Sequence, residues 1–422
     1  GFTALPKNEP QNLPSGALDA LELVQEAWKS PLIGDLPPLT SGLVGALAWD
    51  SVREVENLPN RKPMAYEFPV LNFILMRNLL VFDHQLSRIQ VVSNLFIEGQ
   101  TEAELRDDYN SALEQLQLLK TQLAEPSVSY LAELTAVVTV DAKPNHTQQS
   151  FAKTVAQAQV HVQAGDVFQV VVSQRFDRET QSSPLDIYRA LRSINPSPYM
   201  YHINLSDTSG VYSIVGSSPE ALIKVFDGQA IMHPIAGSKP RGKTFEEDIE
   251  LAEVLLSDEK ERAEHLMLVD LARNDLLKVC NPKTVNVTEF MKIHKFSHIQ
   301  HLVSTVEGNL NADSSVVDVF RATFPAGTLS GAPKPRALEI IDDLESDNRG
   351  LFGGVVGYFD FAGNADLAIA IRTALIRNGV AHVQAGAGIV LDSEPTSEFN
   401  ETKSKAAVIL HAIDVADSLR RI

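Results

Sequence analysis

Hydrophobic and polar positions change period along the chain, and the changes mark out its elements. A helix-like run over residues 18–28 sits in a proline-rich, partly extended lead-in (Pro6, Pro10, Pro14, Pro31, Pro37, Pro38). From 43 to 92 β-branched runs alternate with turns, which predicts a sheet, with residues 81–92 forming two strands around a turn. Leu105, Leu113, Leu116 and Leu119 stand among charges and predict an amphipathic helix over 101–123. Residues 124–145, with two prolines and polar flanks, read as a linker or surface crossing. An N-terminal subdomain (1–140) is therefore set against a catalytic region (141–422), the two expected to form one continuous fold.

Downstream the pattern sharpens. Residues 151–164 predict a helix ended by Gly165, followed by a strand over 166–176. Period two puts Phe168, Val170, Val172 and Phe176 on one face of that strand and Gln169 on the other, beside Val167, Val171 and Ser173. Residues 298–306 alternate as a strand with His301 and Val303 on one face. A glycine-rich strand over 350–358 and an apolar strand over 369–374 follow, the second carrying Arg372, and a buried arginine needs an anion. Helices are predicted over 257–272, capped by Ser257, over 336–344, and from Pro395 onward. Between them lie a rigid turn (195–200), a turn ending in Glu220, a glycine-containing loop with three cations (234–243), and a hydrogen-bonding loop (324–334).

Two helices bring carboxylates together. Glu261 and Glu264 stand at i, i+3, and so do Glu398 and Glu401, with Lys405 on the same face as the second pair. Facing each other, the pairs would form an all-oxygen site suited to magnesium with retained waters. Taken singly, each pair reads first as a solvated face of an acidic protein, and spacing alone does not overturn that. Just before the second helix, the small residues Ala385, Gly386, Ala387 and Gly388 would let a ligand reach backbone N–H groups. Gln169 taken alone is as consistent with an edge amide as with a site residue, and His301 taken alone reads as a structural imidazole.

Composition narrows the partners. The 422 residues are 44% hydrophobic, enough for a large core, and the net charge of −18 leaves no basic stripe for nucleic acid or anionic lipid. Cys280 is the only cysteine, so no intrachain disulfide can form, which suits a reducing, cytoplasmic setting. No apolar run is long enough to span a bilayer, and the start does not resemble a signal peptide. The chain opens at Gly1 rather than methionine, as expected if an N-terminal piece has been removed or left out.

Taken in order, five motifs are distinctive: PIAG at 234–237, EHLMLVDLARND at 264–275, FPAGTLSGAPK at 324–334, AIAIRTAL at 368–375 and QAGAGIV at 384–390, followed by the last glutamate helix. Together they closely resemble component I of the anthranilate synthases, within the family of magnesium-dependent, chorismate-utilising enzymes. The likeness is near-continuous from about residue 145 onward and weaker over 42–123. It implies an α+β, two-sheet fold with surrounding helices and an active cleft between the sheets. It also implies a magnesium ion on Glu264 and Glu401, with Glu261 and Glu398 acting more indirectly. Chorismate carboxylates would meet Gly237, Ser238, Arg372 and the 385–388 backbone, with Thr328, Phe352 and Lys405 nearby. Glu220 would be the general acid for loss of the ring hydroxyl, and His301 would serve pyruvate elimination.

The resemblance also discriminates among relatives. Those that add water to chorismate carry a lysine base where this chain has Gln169, and an amide cannot deprotonate water. Aminodeoxychorismate synthases place a nucleophilic lysine where this chain has Ala236. An amine nucleophile and anthranilate as product are thus expected, with ammonia from a separate glutamine amidotransferase subunit. Aminodeoxychorismate or aminodeoxyisochorismate synthesis is the alternative among enzymes. A weakened, ligand-binding scaffold for the amidotransferase is the alternative of another kind, supported by Phe352 where the family usually has tyrosine. Of the family's tryptophan-inhibitor elements, Pro198, Tyr199 and Met200 are present, and the N-terminal Leu-Leu-Glu-Ser element is not in the sequence.

Overall fold

The computed structural model describes residue 14 and residues 16–34, 36–97, 99–126, 132–295 and 299–421. Among these residues two large antiparallel sheets dominate. The first has nine strands, and its main path runs Ile235–Pro240, Ile299–Asn309, Gln229–Met232, Ala221–Phe226, Ala365–Ile369, Val355–Asp360, Gly42–Leu47, Leu71–Leu75. Asn286–Lys295 joins it alongside Ile299–Asn309. The second has seven, ordered Gly331–Ala332, Gln169–Glu179, Val380–Ile389, Thr373–Arg377, Gly210–Ser218, Tyr199–Asp207, with Lys143–Pro144 added beside Gln169–Glu179.

Alternation along the strands explains the layering. In Thr373–Arg377, Ala374 and Ile376 pack with Ala406, Ile409 and Ile413 of the helix Pro395–Asp417, whereas Leu375 between them packs with Tyr212, Ala46 and Val356. The last two belong to the first sheet, whose Leu43, Leu47, Val355 and Phe359 turn the other way, toward Leu18, Val317 and Phe320 of its own helices. The central strands thus bury one face against helices and the other against the opposite sheet, so the middle of each sheet is apolar on both sides. Because Gly42–Leu47 pairs with Val355–Asp360, the N-terminal segment is built into the first sheet.

The chain passes directly between the sheets at two adjacent places. Gly210–Ser218 of the second sheet leads through Pro219 and Glu220 into Ala221–Phe226 of the first, and Ala365–Ile369 of the first leads through Ala370, Ile371 and Arg372 into Thr373–Arg377 of the second. Backbone bonds hold the crossings together: Ile369 N donates to Glu220 O at 3.0 Å and Ser217 N to Arg372 O at 3.1 Å. Both crossings carry a candidate site residue.

Several expectations change in detail. The strand expected over 166–176 begins at Gln169 and runs to Glu179, and Phe168 before it is 74% exposed rather than sharing the buried face of Val170, Val172 and Phe176. The helix of the first glutamate pair, Glu259–Leu277, is capped by Asp258, whose carboxylate accepts from the N–H groups of Lys260 and Glu261, and Ser257 closes the preceding helix, Phe245–Ser257. Gly350 and Gly353 take positive φ in a turn, and the strand expected there is Val355–Asp360. The loop over 324–334 contains a single helical turn, Gly327–Ser330, and the short strand Gly331–Ala332. The hairpin expected over 81–92 is Asn78–Asp83 with Arg88–Ser93. The segment read as a linker holds strand Ala132–Leu134, which pairs with Leu419–Arg421; residues 127–131 within it, His298 at the start of its strand, and Pro6 and Pro10 of the lead-in lie outside the described residues.

Candidate active site

A cavity of about 830 Å³ opens between the sheets, and most of the residues singled out in the sequence line it: Gln169, Glu220, Gly237, Ser238, Glu261, Glu264, His301, Thr328, Phe352, Arg372, Ala385, Gly386, Gly388, Glu398, Glu401 and Lys405. Ala387 does not; it turns into the helix-covered core with Ile389. Nor do Pro198, Tyr199 and Met200. The Tyr199 hydroxyl donates to Asp366 at 2.8 Å, and Met200 packs against the outer face of the second sheet.

Glu220 is the most perturbed acid in the wall. Burial raises its pKa from 4.5 to about 7, against the opposing effects of the Thr328 hydroxyl, which donates to it at 2.9 Å, and of Lys405 and Arg372. Near neutrality such a carboxyl is available in its protonated form. Arg372 was expected inside a strand but stands in the crossing, with φ of +47°. Burial lowers its pKa, Glu220 opposes that shift, and among the described residues no carboxylate is paired with its guanidinium. A half-buried cation so placed favours an anionic ligand.

On the first sheet, Gly237 forms a bulge between Ala236 and Ser238, with φ of +67°. A β-carbon there would lie 3.0 Å from Oε2 of Glu261, so glycine also lets the glutamate helix approach. Gly237 O lies 3.0 Å from Nδ1 of His301, the cross-strand partner of Ser238. A carbonyl only accepts, so the proton sits on Nδ1 and the lone pair on Nε2. Burial lowers the pKa of His301, which keeps the ring neutral.

On the second sheet, residues 385–388 form the interior of strand Val380–Ile389. Lys405 Nζ donates to Gly386 O at 3.0 Å and pairs with Glu401 at 2.7 Å. Since the N–H and C=O of one strand residue face the same edge, the Gly386 N–H shares the edge that Lys405 approaches. A β-carbon on Gly388 would sit 2.2 Å from Nε2 of Gln169, so glycine is what lets that amide lie across the strand.

The two glutamate pairs reach the cavity from Glu259–Leu277 and Pro395–Asp417. Glu261 has a raised pKa through burial and then Glu264; Glu398 has one through burial, with Glu401 adding to it. Like charges crowded in this way are relieved by a cation. Among the described residues no three carboxylate, imidazole or thiolate groups are close enough to form a metal cage alone. Hard oxygen donors that few in number suit magnesium, which keeps waters and takes an oxygen from substrate.

One group was missed in the sequence. Arg349 is only 1% exposed, lies over Trp49 at 4.3 Å and Phe352 at 5.6 Å, and pairs with Glu345. It donates to Leu329 O at 2.7 Å and Val171 O at 2.8 Å, both from cavity-lining residues. The available signal was the i, i+4 spacing of Glu345 and Arg349.

A cleft between two antiparallel sheets, walled by an arginine, a lysine, strand backbone and crowded glutamates, belongs to a known class: residues 5–411 match the profile of the chorismate binding enzymes, and the chain belongs to that family. Within it, the chain is 48% identical to anthranilate synthase component 1 of Mycolicibacterium smegmatis, over 97% of this chain and 79% of that one. It is 47% identical to anthranilate synthase component 1 of Arthrobacter globiformis, over 96% and 77%. The crystal structure of anthranilate synthase component I from Streptococcus pneumoniae superposes with a TM-score of 0.83 at 36% identity, covering 93% of this chain and 85% of the other. The menaquinone-specific isochorismate synthase of Escherichia coli, at 22% identity and a TM-score of 0.69 over 88% and 78%, shares the fold.

Proposed function

We propose that the chain acts as component I of an anthranilate synthase. It aminates chorismate at ring carbon 2 with loss of the ring hydroxyl, then eliminates pyruvate to leave anthranilate for tryptophan synthesis. The observation that carries this reading is the pair Gln169 and Ala236 in the cavity wall. Neither can do what a lysine at those positions would do, so water activation and a covalent amine intermediate are both disfavoured. The similarity to component 1 proteins points the same way.

Arg372, Gly237, Ser238 and the backbone at 385–388 bind the substrate carboxylates, with Lys405 neutralising charge alongside Glu401. Glu220 gives its proton to the departing hydroxyl oxygen, and Thr328 orients its carboxyl. His301, neutral with its lone pair on Nε2, takes up a proton during pyruvate elimination. Glu264 and Glu401 would hold magnesium, with Glu261 and Glu398 supporting them. When bound there, the ion would supply positive charge to offset and polarise a substrate carboxylate. Phe352 forms part of the wall without the hydroxyl that a tyrosine would add.

A separate glutamine amidotransferase delivers ammonia in the cytoplasm. Residues 1–140 and 141–422 act as one folding unit. Pro198, Tyr199 and Met200 are retained as part of an inhibitor site for tryptophan, away from the cavity. The test is anthranilate fluorescence with chorismate, magnesium and an ammonium salt: formation that stops on chelation is expected. Accumulation of aminated chorismate with pyruvate retained would replace anthranilate as product, and no reaction would favour a ligand-binding scaffold.

A further inference from the structure

Among the described residues, the cavity wall takes no side chain from before Gln169. The N-terminal segment nevertheless grips one part of that wall, the turn at 349–354 that carries Phe352, and does so at two points. Trp49 N donates to Gly350 O at 2.8 Å. Tyr66, in the loop between Trp49–Glu54 and Leu71–Leu75, accepts from Leu351 N at 3.1 Å through its hydroxyl and donates to Arg349 O at 3.3 Å. Burial raises the Tyr66 pKa to about 12, so the phenol keeps its one hydrogen for the carbonyl and a lone pair for the N–H. Arg349 O also accepts from Phe352 N at 3.1 Å, so the hydroxyl closes the turn immediately before the Phe352 ring. A β-carbon on Gly350 would lie 2.5 Å from that hydroxyl, and glycine leaves it room.

The same side chain reaches the second sheet. Its ring stacks on His382 with centroids 4.6 Å apart and 13° between the planes. His382 stands in strand Val380–Ile389, which runs on to Gly386. Phe352 Cζ lies 3.4 Å from where a Gly386 β-carbon would be, so the turn and this strand meet at the cavity edge. The turn is tied onward to the crossing that bears Arg372, since Gly353 N donates to Ala370 O at 3.1 Å and Ala370 N to Gly354 O at 2.8 Å.

Resting on the reading of the cavity as a chorismate site, we infer that Tyr66 is a positioning residue for substrate binding: without touching substrate, it sets the gap between the Phe352 ring and the backbone at Gly386. Its ring holds the strand side of that gap and its hydroxyl holds the turn side. Loss of the hydroxyl leaves Leu351 N–H without its acceptor and frees the turn to move the Phe352 ring. Glu220 and the glutamate pairs stand on other elements, so the effect falls on binding rather than on the chemical steps.

The experiment measures initial rates on the full chain with magnesium, varying chorismate and ammonium chloride separately. Tyr66→Phe keeps the ring on His382 and removes only the hydroxyl. It should raise KM for chorismate about fivefold while leaving kcat and KM for ammonium within about twofold. In a Phe352→Ala background the same change should leave KM for chorismate within about 1.5-fold, because the ring it positions is gone. An unchanged chorismate KM in Tyr66→Phe overturns the inference. So does a fivefold rise that persists in the Phe352→Ala background, which would make Tyr66 a general support of the fold. Should Tyr66→Phe fail to fold, His382→Leu, which removes the stack and keeps the hydroxyl, should raise KM for chorismate about threefold, and an unchanged value overturns the inference equally. A wild-type chain that does not turn over chorismate would instead remove the reading on which the inference rests.

Discussion

Replacing Glu220 with glutamine removes the titration of a buried carboxyl while keeping its shape. The rise from 4.5 to about 7, at about 1.4 kcal/mol per unit, corresponds to about 3 kcal/mol of pH-dependent stability. That is an upper figure, since one edge of the group faces the cavity and its water. The sign follows from the direction of the shift. A carboxyl whose pKa is raised on folding contributes stability fully below pH 4.5, and that contribution is lost as pH climbs toward 7. Other groups titrate alike in both proteins and cancel in the difference. Urea unfolding between pH 4 and pH 8, without substrate or magnesium, should therefore show Glu220→Gln gaining on wild type by up to about 3 kcal/mol as pH rises. The same variant should lose activity by a factor of about 10² to 10⁴, the usual worth of a general acid, while the wild-type rate falls as pH passes 7. Stability curves that stay parallel across this range would refute the burial argument, and retained turnover would refute the role.

Three further perturbations separate metal, scaffold and substrate contacts. Glu264→Gln should lower turnover at a fixed magnesium concentration by about 100-fold or more, with partial recovery at higher magnesium, and an unaltered magnesium titration would contradict the assignment. Arg349→Met strands the Glu345 carboxylate in the core and should cost about 3 to 5 kcal/mol in urea unfolding, with part regained when Glu345→Gln is added; a loss under about 1 kcal/mol would mean the pair is not holding the wall. Phe352→Tyr places a hydroxyl at Cζ, which lies 3.4 Å from where a Gly386 β-carbon would be, and should lower KM for chorismate by about fivefold, or about 1 kcal/mol. A higher KM would show that the added oxygen crowds the cavity instead of meeting substrate.

What could be read from the sequence follows the range of the interaction that fixes it. The glutamate pairs were legible because i, i+3 spacing on a helix is set within one turn, and both pairs do reach one cavity. Arg372 was legible as a buried cation but not in its place. An apolar run continues unchanged from Ala368 through Ala374, whether the chain stays in one strand or crosses to another sheet. Only the pairing of Ala221 with Ala368 in one sheet and Gly216 with Thr373 in the other turns the run into a crossing. Small residues at 385–388 were legible as a place of close approach to the backbone, but not as part of a strand. Here glycine serves a strand whose cavity face has no room for a β-carbon beside Gln169. Arg349 was missed for a related reason. Its partners Val171, Leu329 and Trp49 come from three separate segments, and only the local steps to Glu345 and Phe352 leave a trace in the chain. The residues proposed to meet ligand are thus announced by local chemistry, while those that hold the wall in place are decided by sheet pairing.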